Sequence, residues 1–251
     1  MKHVIALGRF NPPTIGHSLL LAELDEYSKR GYNATLFVTS SMNKPQEYRR
    51  AFKLIPGRNP AADEEAAWEI AEEVLRNPLS KEQKIDFLEH VIQEHGYNVE
   101  VYKGELLVRL NDKLFWELVG DDREREVIVL AGADRVQEYT KFAEDFNEQQ
   151  APGLRINIQI IEVGKRKDKA LTAKIGEADG AASTKQRYFA ILDDFEKFRK
   201  GVDGDEDFAW DMFNAVKAGM EIPEEFRVLK KKPTEEGNSI RDYLDRVSYY
   251  G

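Results

Sequence analysis

The chain has 251 residues, 41% of them hydrophobic, with no cysteine, four histidines and a formal net charge of −9. That length suits one α/β domain with extensions, and that hydrophobic share suits a buried core. The lack of cysteine excludes disulfides, thiolate nucleophiles and cysteine–zinc sites, and the scattered histidines offer no metal cluster. The acidic balance argues against a general nucleic-acid binder, whose affinity rests on neutralising phosphates. No apolar run reaches the length of a signal or membrane segment, so the expected setting is the cytosol, with no membrane partner.

Val4-Ile5-Ala6-Leu7 predicts a buried strand over about residues 2–7. The string Gly8-Arg9-Phe10-Asn11-Pro12-Pro13-Thr14-Ile15-Gly16-His17 comes next and leads into a helix over about 16–30, with Leu20, Leu21, Leu24 and Tyr27 inward and Gly31 as its cap. A strand-to-helix junction of this kind is a phosphate site. The first helical turn has unpaired N–H groups at the positive end of a dipole, Gly16 lets an anion approach the backbone, and His17 adds an imidazole donor.

Residues 34–39 predict a second strand. Its polar exit, Ser40-Ser41-Met42-Asn43-Lys44, lies on the same rim, because parallel strands present their C-terminal ends on one edge. Ser40 and Lys44 are therefore candidate substrate contacts. Residues 45–76 read as a helical insertion, with turn chemistry around Pro56-Gly57 and a helical run from Ala61 to Arg76, and are expected to act as a flap over the pocket or as surface decoration.

Ser80-Lys81-Glu82-Gln83 is a capping box that opens a helix with Ile85, Leu88, Val91 and Ile92 on one face before Gly96. Residues 98–102 predict strand three, a helix carrying Leu107 to Leu118 comes after it, residues 126–131 predict strand four, and residues 156–163 strand five. Strands alternating with helices argue for a parallel sheet with helices on both faces.

Gly132-Ala133-Asp134-Arg135, just after strand four, is either a helix N-cap or a place where Asp134 accepts from a ribose hydroxyl. Gly164-Lys165-Arg166-Lys167-Asp168-Lys169 is a solvated loop or a basic cluster facing phosphate. Ser183-Thr184-Lys185-Gln186-Arg187 reads as a second helix start, with Ser183 and Gln186 as its capping box and Tyr188, Ile191, Leu192, Phe195 and Phe198 as the buried face of that helix. Lys185 and Arg187 then project from its first turn toward an anion. Phe208 to Met220 predicts another amphipathic helix. Beyond it the tail is polar and ends in Tyr243, Leu244, Val247, Tyr249 and Tyr250.

Together, Gly-Arg-Phe-Asn-Pro-Pro-Thr-Ile-Gly-His, Asn77-Pro78-Leu79-Ser80, Gly-Ala-Asp-Arg and Ser-Thr-Lys-Gln-Arg resemble the signatures of nucleotidyltransferases that carry a Thr/His-x-Gly-His motif. Within that superfamily they look most like nicotinamide mononucleotide adenylyltransferases and phage-encoded, cytidylyltransferase-like relatives. The similarity covers about residues 3–43, 77–103 and 125–220. Ala181 and Ala182 replace the residues that usually open the second signature.

The resemblance implies a Rossmann-like parallel five-stranded sheet, with a nucleotidyltransferase domain over 1–200, the insertion at about 45–76, and a helical C-terminal extension and tail over 201–251. It implies transfer of a nucleoside monophosphate, AMP from ATP in the first instance, to a small phosphorylated acceptor such as nicotinamide mononucleotide, with release of pyrophosphate. His17, Thr14, Lys185 and Arg187 would be catalytic. Gly8, Arg9, Phe10, Gly16, Gly132, Asp134, Arg135, Ser183 and Thr184 would bind the nucleotide. Mg²⁺ would ride mainly on the triphosphate.

A cytidylyl or pantetheine-phosphate acceptor would need only different pocket walls. The alternative of another class is a non-catalytic nucleotide-binding or structural protein, for example of a phage particle, in the host cytoplasm. The insertion and the aromatic tail are the surfaces such an assembly, or a homo-oligomer, would use.

Overall fold

The structure, a computed structural model, describes residues 2–54, 63–103, 124–132, 135–148, 155–163 and 182–221. In chain order these form β1 (Lys2–Gly8), α1 (Ile15–Lys29), β2 (Asn33–Val38), α2 (Pro45–Leu54), α3 (Glu64–Glu69) running into a π-helical turn (Ile70–Val74), and α4 (Lys81–His95). Then come β3 (Glu100–Tyr102), β4 (Glu124–Ala131), α5 (Val136–Glu148), β5 (Arg155–Glu162), α6 (Ser183–Ile191), α7 (Phe195–Phe198) and α8 (Glu206–Met220). Asp134, the Leu107–Leu118 helix, the basic cluster at 164–169, Ala181 and the tail beyond residue 221 lie outside the described residues.

The sheet is five-stranded and wholly parallel, in the order β3-β2-β1-β4-β5. It is an α/β fold of the Rossmann-like kind. Side chains alternate between its faces, as strand geometry requires. Val4, Ala6, Leu36, Val38, Ile128 and Leu130 pack on one side with α1, α4 and the C-terminal helices. Ile5, Phe37, Val127, Val129 and Ala131 pack on the other with Tyr139 and Ala143 of α5. The chain reverses its direction across the sheet between β1 and β4, and sheets of this type bind ligands beyond the carboxyl ends of the strands at such a point.

Local chemistry fixes the helices around the sheet. Ser80 and Gln83 form the expected capping box at α4: Gln83 N–H donates to Ser80 Oγ at 3.2 Å, and Ser80 N–H donates to Gln83 Oε1 at 2.9 Å. Gly96 ends α4 at φ 66, a left-handed turn that glycine adopts without steric cost. At α8, Asp205 accepts from Phe208 N–H at 2.8 Å. The α8 side chains Met212, Phe213, Val216 and Met220 lie in the main core, so this described part of the C-terminal extension belongs to the domain's own packing. A Cβ at Gly219 would sit 2.0 Å from the Pro78 carbonyl oxygen. Only glycine lets α8 come this close to the Asn77-Pro78-Leu79-Ser80 string.

Three sequence expectations are corrected. In its described residues, 45–54 and 63–76, the insertion packs as core rather than as a flap: Ala51, Ala66, Ile70, Val74 and Leu75 are buried in the main core, and Ala67 and Ala71 are fully covered. Small and aliphatic residues facing one side of α2, α3 and the π-turn give it an apolar surface that must be covered. The helical run expected from Ala61 appears as α3 and then the π-turn. The helix expected from Ser183 through Phe198 stops at Ile191, because Asp193 turns left-handed at φ 60 and Asp194 caps a new short helix by accepting from Lys197 N–H.

Candidate active site

The loop between β1 and α1 is held from several directions. Asn11 is buried, and its Oδ1 accepts from Leu79 N–H at 2.9 Å, which joins the first motif to Asn-Pro-Leu-Ser. Phe10 is buried with φ 47, and its ring lies over Gly8, where a Cβ would meet it at 2.6 Å. Glycine at position 8 is thus required by the close approach of the aromatic ring. The same ring contacts His17 edge-on at 4.8 Å between centroids.

Thr14 is the N-cap of α1. Its backbone N–H donates to His17 Nδ1 at 3.0 Å, and its Oγ1 stands 3.0 Å from the same nitrogen. A backbone N–H can only donate, so Nδ1 accepts and the proton of the neutral ring sits on Nε2. His17 therefore stands half-buried at the helix start as an Nε2–H donor, oriented by the backbone beside it. Thr14, His17 and Ser18 line a small cleft with Leu88, Val91 and Asp203.

The second helix start meets this loop, but with different bonds from those expected. The N-cap of α6 is Ala182, and no Ser183–Gln186 capping box forms. Ser183 Oγ instead donates to the Pro12 carbonyl at 2.9 Å, while Gln186 is buried with its Oε1 lacking a hydrogen-bond partner. Arg187 does not project toward an anion. It is 3% exposed, and its guanidinium donates to Ala71 O at 2.9 Å, to Asn11 O at 2.6 Å and to Thr184 Oγ1 at 3.0 Å. It ties the π-turn to the first motif. Burial lowers its pKa, with Arg9 and Arg76 adding repulsion and Glu72 opposing them. Lys185 is also buried, and burial lowers its pKa.

Of the other expected site residues, Ser40 and Lys44 are exposed beyond β2, with Lys44 N–H donating to Glu47 Oε2 at the start of α2. Gly132 and Arg135 are exposed beyond β4, on the strand neighbouring β1, where Arg135 N–H donates to Gly132 O at 2.8 Å. Sequence reasoning assigned no role to Asn11, Ala71 or Lys84. For Lys84 a signal existed: it lies four and seven residues before Leu88 and Val91, a cation on the apolar stripe of its helix.

Electrostatics single out the two helix starts at the motif loop. Neither α1 nor α6 has an acidic residue in its first turn. Every other described α-helix has at least one. On a chain of net charge −9, the positive ends of these two dipoles are left for an anion. The described residues include no group of three or more His, Cys, Asp or Glu that could hold a metal ion. No described helix is long and apolar enough to cross a membrane.

No family model matches the chain, and no curated protein matches it. Among solved structures, the chain is similar to a protein of Vibrio parahaemolyticus provisionally named a nicotinate-nucleotide adenylyltransferase. The identity is 14%, covering 85% of this chain and 99% of that one, with a TM-score of 0.46. Function must come from this chain's own geometry.

Proposed function

We propose that the protein is a nucleotidyltransferase that moves a nucleoside monophosphate, AMP from ATP in the first instance, onto a small phosphorylated acceptor such as nicotinamide mononucleotide. The observation that carries this reading is the convergence of two carboxylate-free helix starts on one loop at the switch point of a parallel sheet. Ser183 and Arg187 of the second start bond directly to Pro12 and Asn11 of the first. A triphosphate is the kind of ligand such a place favours.

In this reaction an oxygen of the acceptor phosphate attacks the α-phosphorus in line. A new P–O bond forms, the bond from the α-phosphorus to the α,β-bridging oxygen breaks, and pyrophosphate leaves with that electron pair. The acceptor oxygen is already ionised, so no general base is needed; positioning and charge stabilisation do the work. The His17 Nε2–H and the first-turn N–H groups of α1 would serve the α-phosphate, and Lys185 with the start of α6 the leaving pyrophosphate. Arg187 would act through the loop it holds.

A panel of acceptors with ATP and with CTP, read by pyrophosphate release, tests the proposal. Release with ATP and nicotinamide mononucleotide, with NAD as product, is expected. Turnover only with CTP and an alcohol phosphate would change base and acceptor while keeping the reaction class. No turnover from folded protein with any triphosphate would overturn the assignment in favour of a binding or structural role.

A further inference from the structure

Lys84 is fully buried in α4, and its partners among the described residues are carbonyl oxygens rather than a carboxylate: Nζ donates to Thr39 O at 2.6 Å and to Ser41 O at 3.2 Å. These carbonyls flank Ser40 at the exit of β2. Thr39 N–H in turn donates to Gly8 O at 3.0 Å, the last residue of β1, whose neighbour Phe10 supports His17. One ammonium therefore joins the rim of β2 to the start of the first motif.

The charged groups that bear on Lys84 are Arg9 from the motif loop and Lys81 of its own helix, which repel it, and Glu82 of its own helix, which attracts it. Burying an ammonium without an ion-pair partner is unfavourable, and an apolar side chain of similar length would serve packing better. The burial pushes its pKa down to about 8. The folded state thus binds this proton less tightly than the unfolded chain, with its ordinary value of 10.5. Its burial opposes folding below about pH 8, and that opposition fades as pH rises from 8 toward 10.5.

We infer that Lys84 is a positioning residue for the acceptor side of the site, holding the Thr39–Ser41 peptides, with Ser40 between them, in register with the first motif. This rests on the nucleotidyl-transfer reading for its kinetic consequence and on the two carbonyl bonds for its structural one.

The test uses the full chain as wild type, Lys84→Met and Lys84→Arg, with thermal melting, steady-state kinetics from pH 6.5 to 9.5, and amide hydrogen exchange over residues 39–43. In Lys84→Met the loss of two carbonyl bonds and the removal of a buried charge oppose each other, so its melting temperature relative to wild type should fall as pH rises from 7 toward 10. The substitution should raise the acceptor KM by about tenfold, with the triphosphate KM nearly unchanged, and speed exchange at 39–43. Lys84→Arg, which keeps donors for both carbonyls, should recover part of the loss. An unchanged acceptor KM and unchanged exchange in Lys84→Met would overturn the inference, as would equal losses for both substrates with a lower melting temperature. If no triphosphate turns over, exchange alone decides: faster exchange keeps Lys84 as the support of this rim while the reaction reading falls, and unchanged exchange removes it.

Discussion

At the start of α1, Thr14 and His17 bond to each other and to the helix's own first backbone groups, so the imidazole is oriented and still half-exposed. At the start of α6, Ser183 and Arg187 reach across to Pro12, Asn11 and Ala71, and their polar atoms are taken up inside the protein. Both starts lack an acidic first turn, so both dipoles favour an anion. The difference lies in the use of the side chains: the first start keeps an oriented imidazole half-exposed, and the second fixes the loop that carries it. A cation in a motif is therefore not by itself a ligand contact, since its burial and its acceptors decide what it does.

Removing the scaffold of the second start should have the largest effect. Deleting residues 46–75 and closing the gap would uncover the core faces against which the π-turn packs and take away the Ala71 acceptor of Arg187. The expected product is insoluble or unfolded, read by soluble yield and circular dichroism. A soluble, cooperatively melting deletion would show that the insertion is dispensable after all.

Arg187→Ala comes next. It strands two buried carbonyls, Asn11 O and Ala71 O, and should cost on the order of 3 kcal/mol in urea unfolding. Arg187→Lys should recover only part, because an ammonium cannot reproduce the planar fork. Unchanged stability with weaker ATP binding would return Arg187 to direct phosphate contact and erase the contrast between the two helix starts.

His17→Ala should do the reverse. Loss of a donor to charge that grows in the transition state should lower kcat by about a hundredfold or more, while the melting temperature moves little. A large melting shift with a modest rate loss would make His17 a packing residue.

Lys185→Ala is the mildest. It should weaken binding of a non-hydrolysable ATP analogue by about tenfold and of AMP by less, measured by calorimetric titration, because only the longer ligand carries the outer phosphates. Equal effects on both ligands would remove Lys185 from the pyrophosphate end.

Strand and helix periodicity, the Ser80–Gln83 capping box, the Gly96 stop and the strand-to-helix junction at Gly8–His17 were legible in the sequence, because each rests on contacts between residues near in the chain. The five parallel strands were legible from the alternation of apolar runs and helical stripes. The tertiary structure alone decided the long-range partners. Whether Ser183 caps its own helix or bonds to Pro12, whether Arg187 faces solvent or the carbonyls of Asn11 and Ala71, and whether residues 45–76 cover a pocket or fill the core all depend on segments far apart in sequence. Local pattern records that a side chain is a cation or a hydroxyl; the backbone groups that reach it first, and the water they exclude, are set only when the sheet brings its C-terminal edge together.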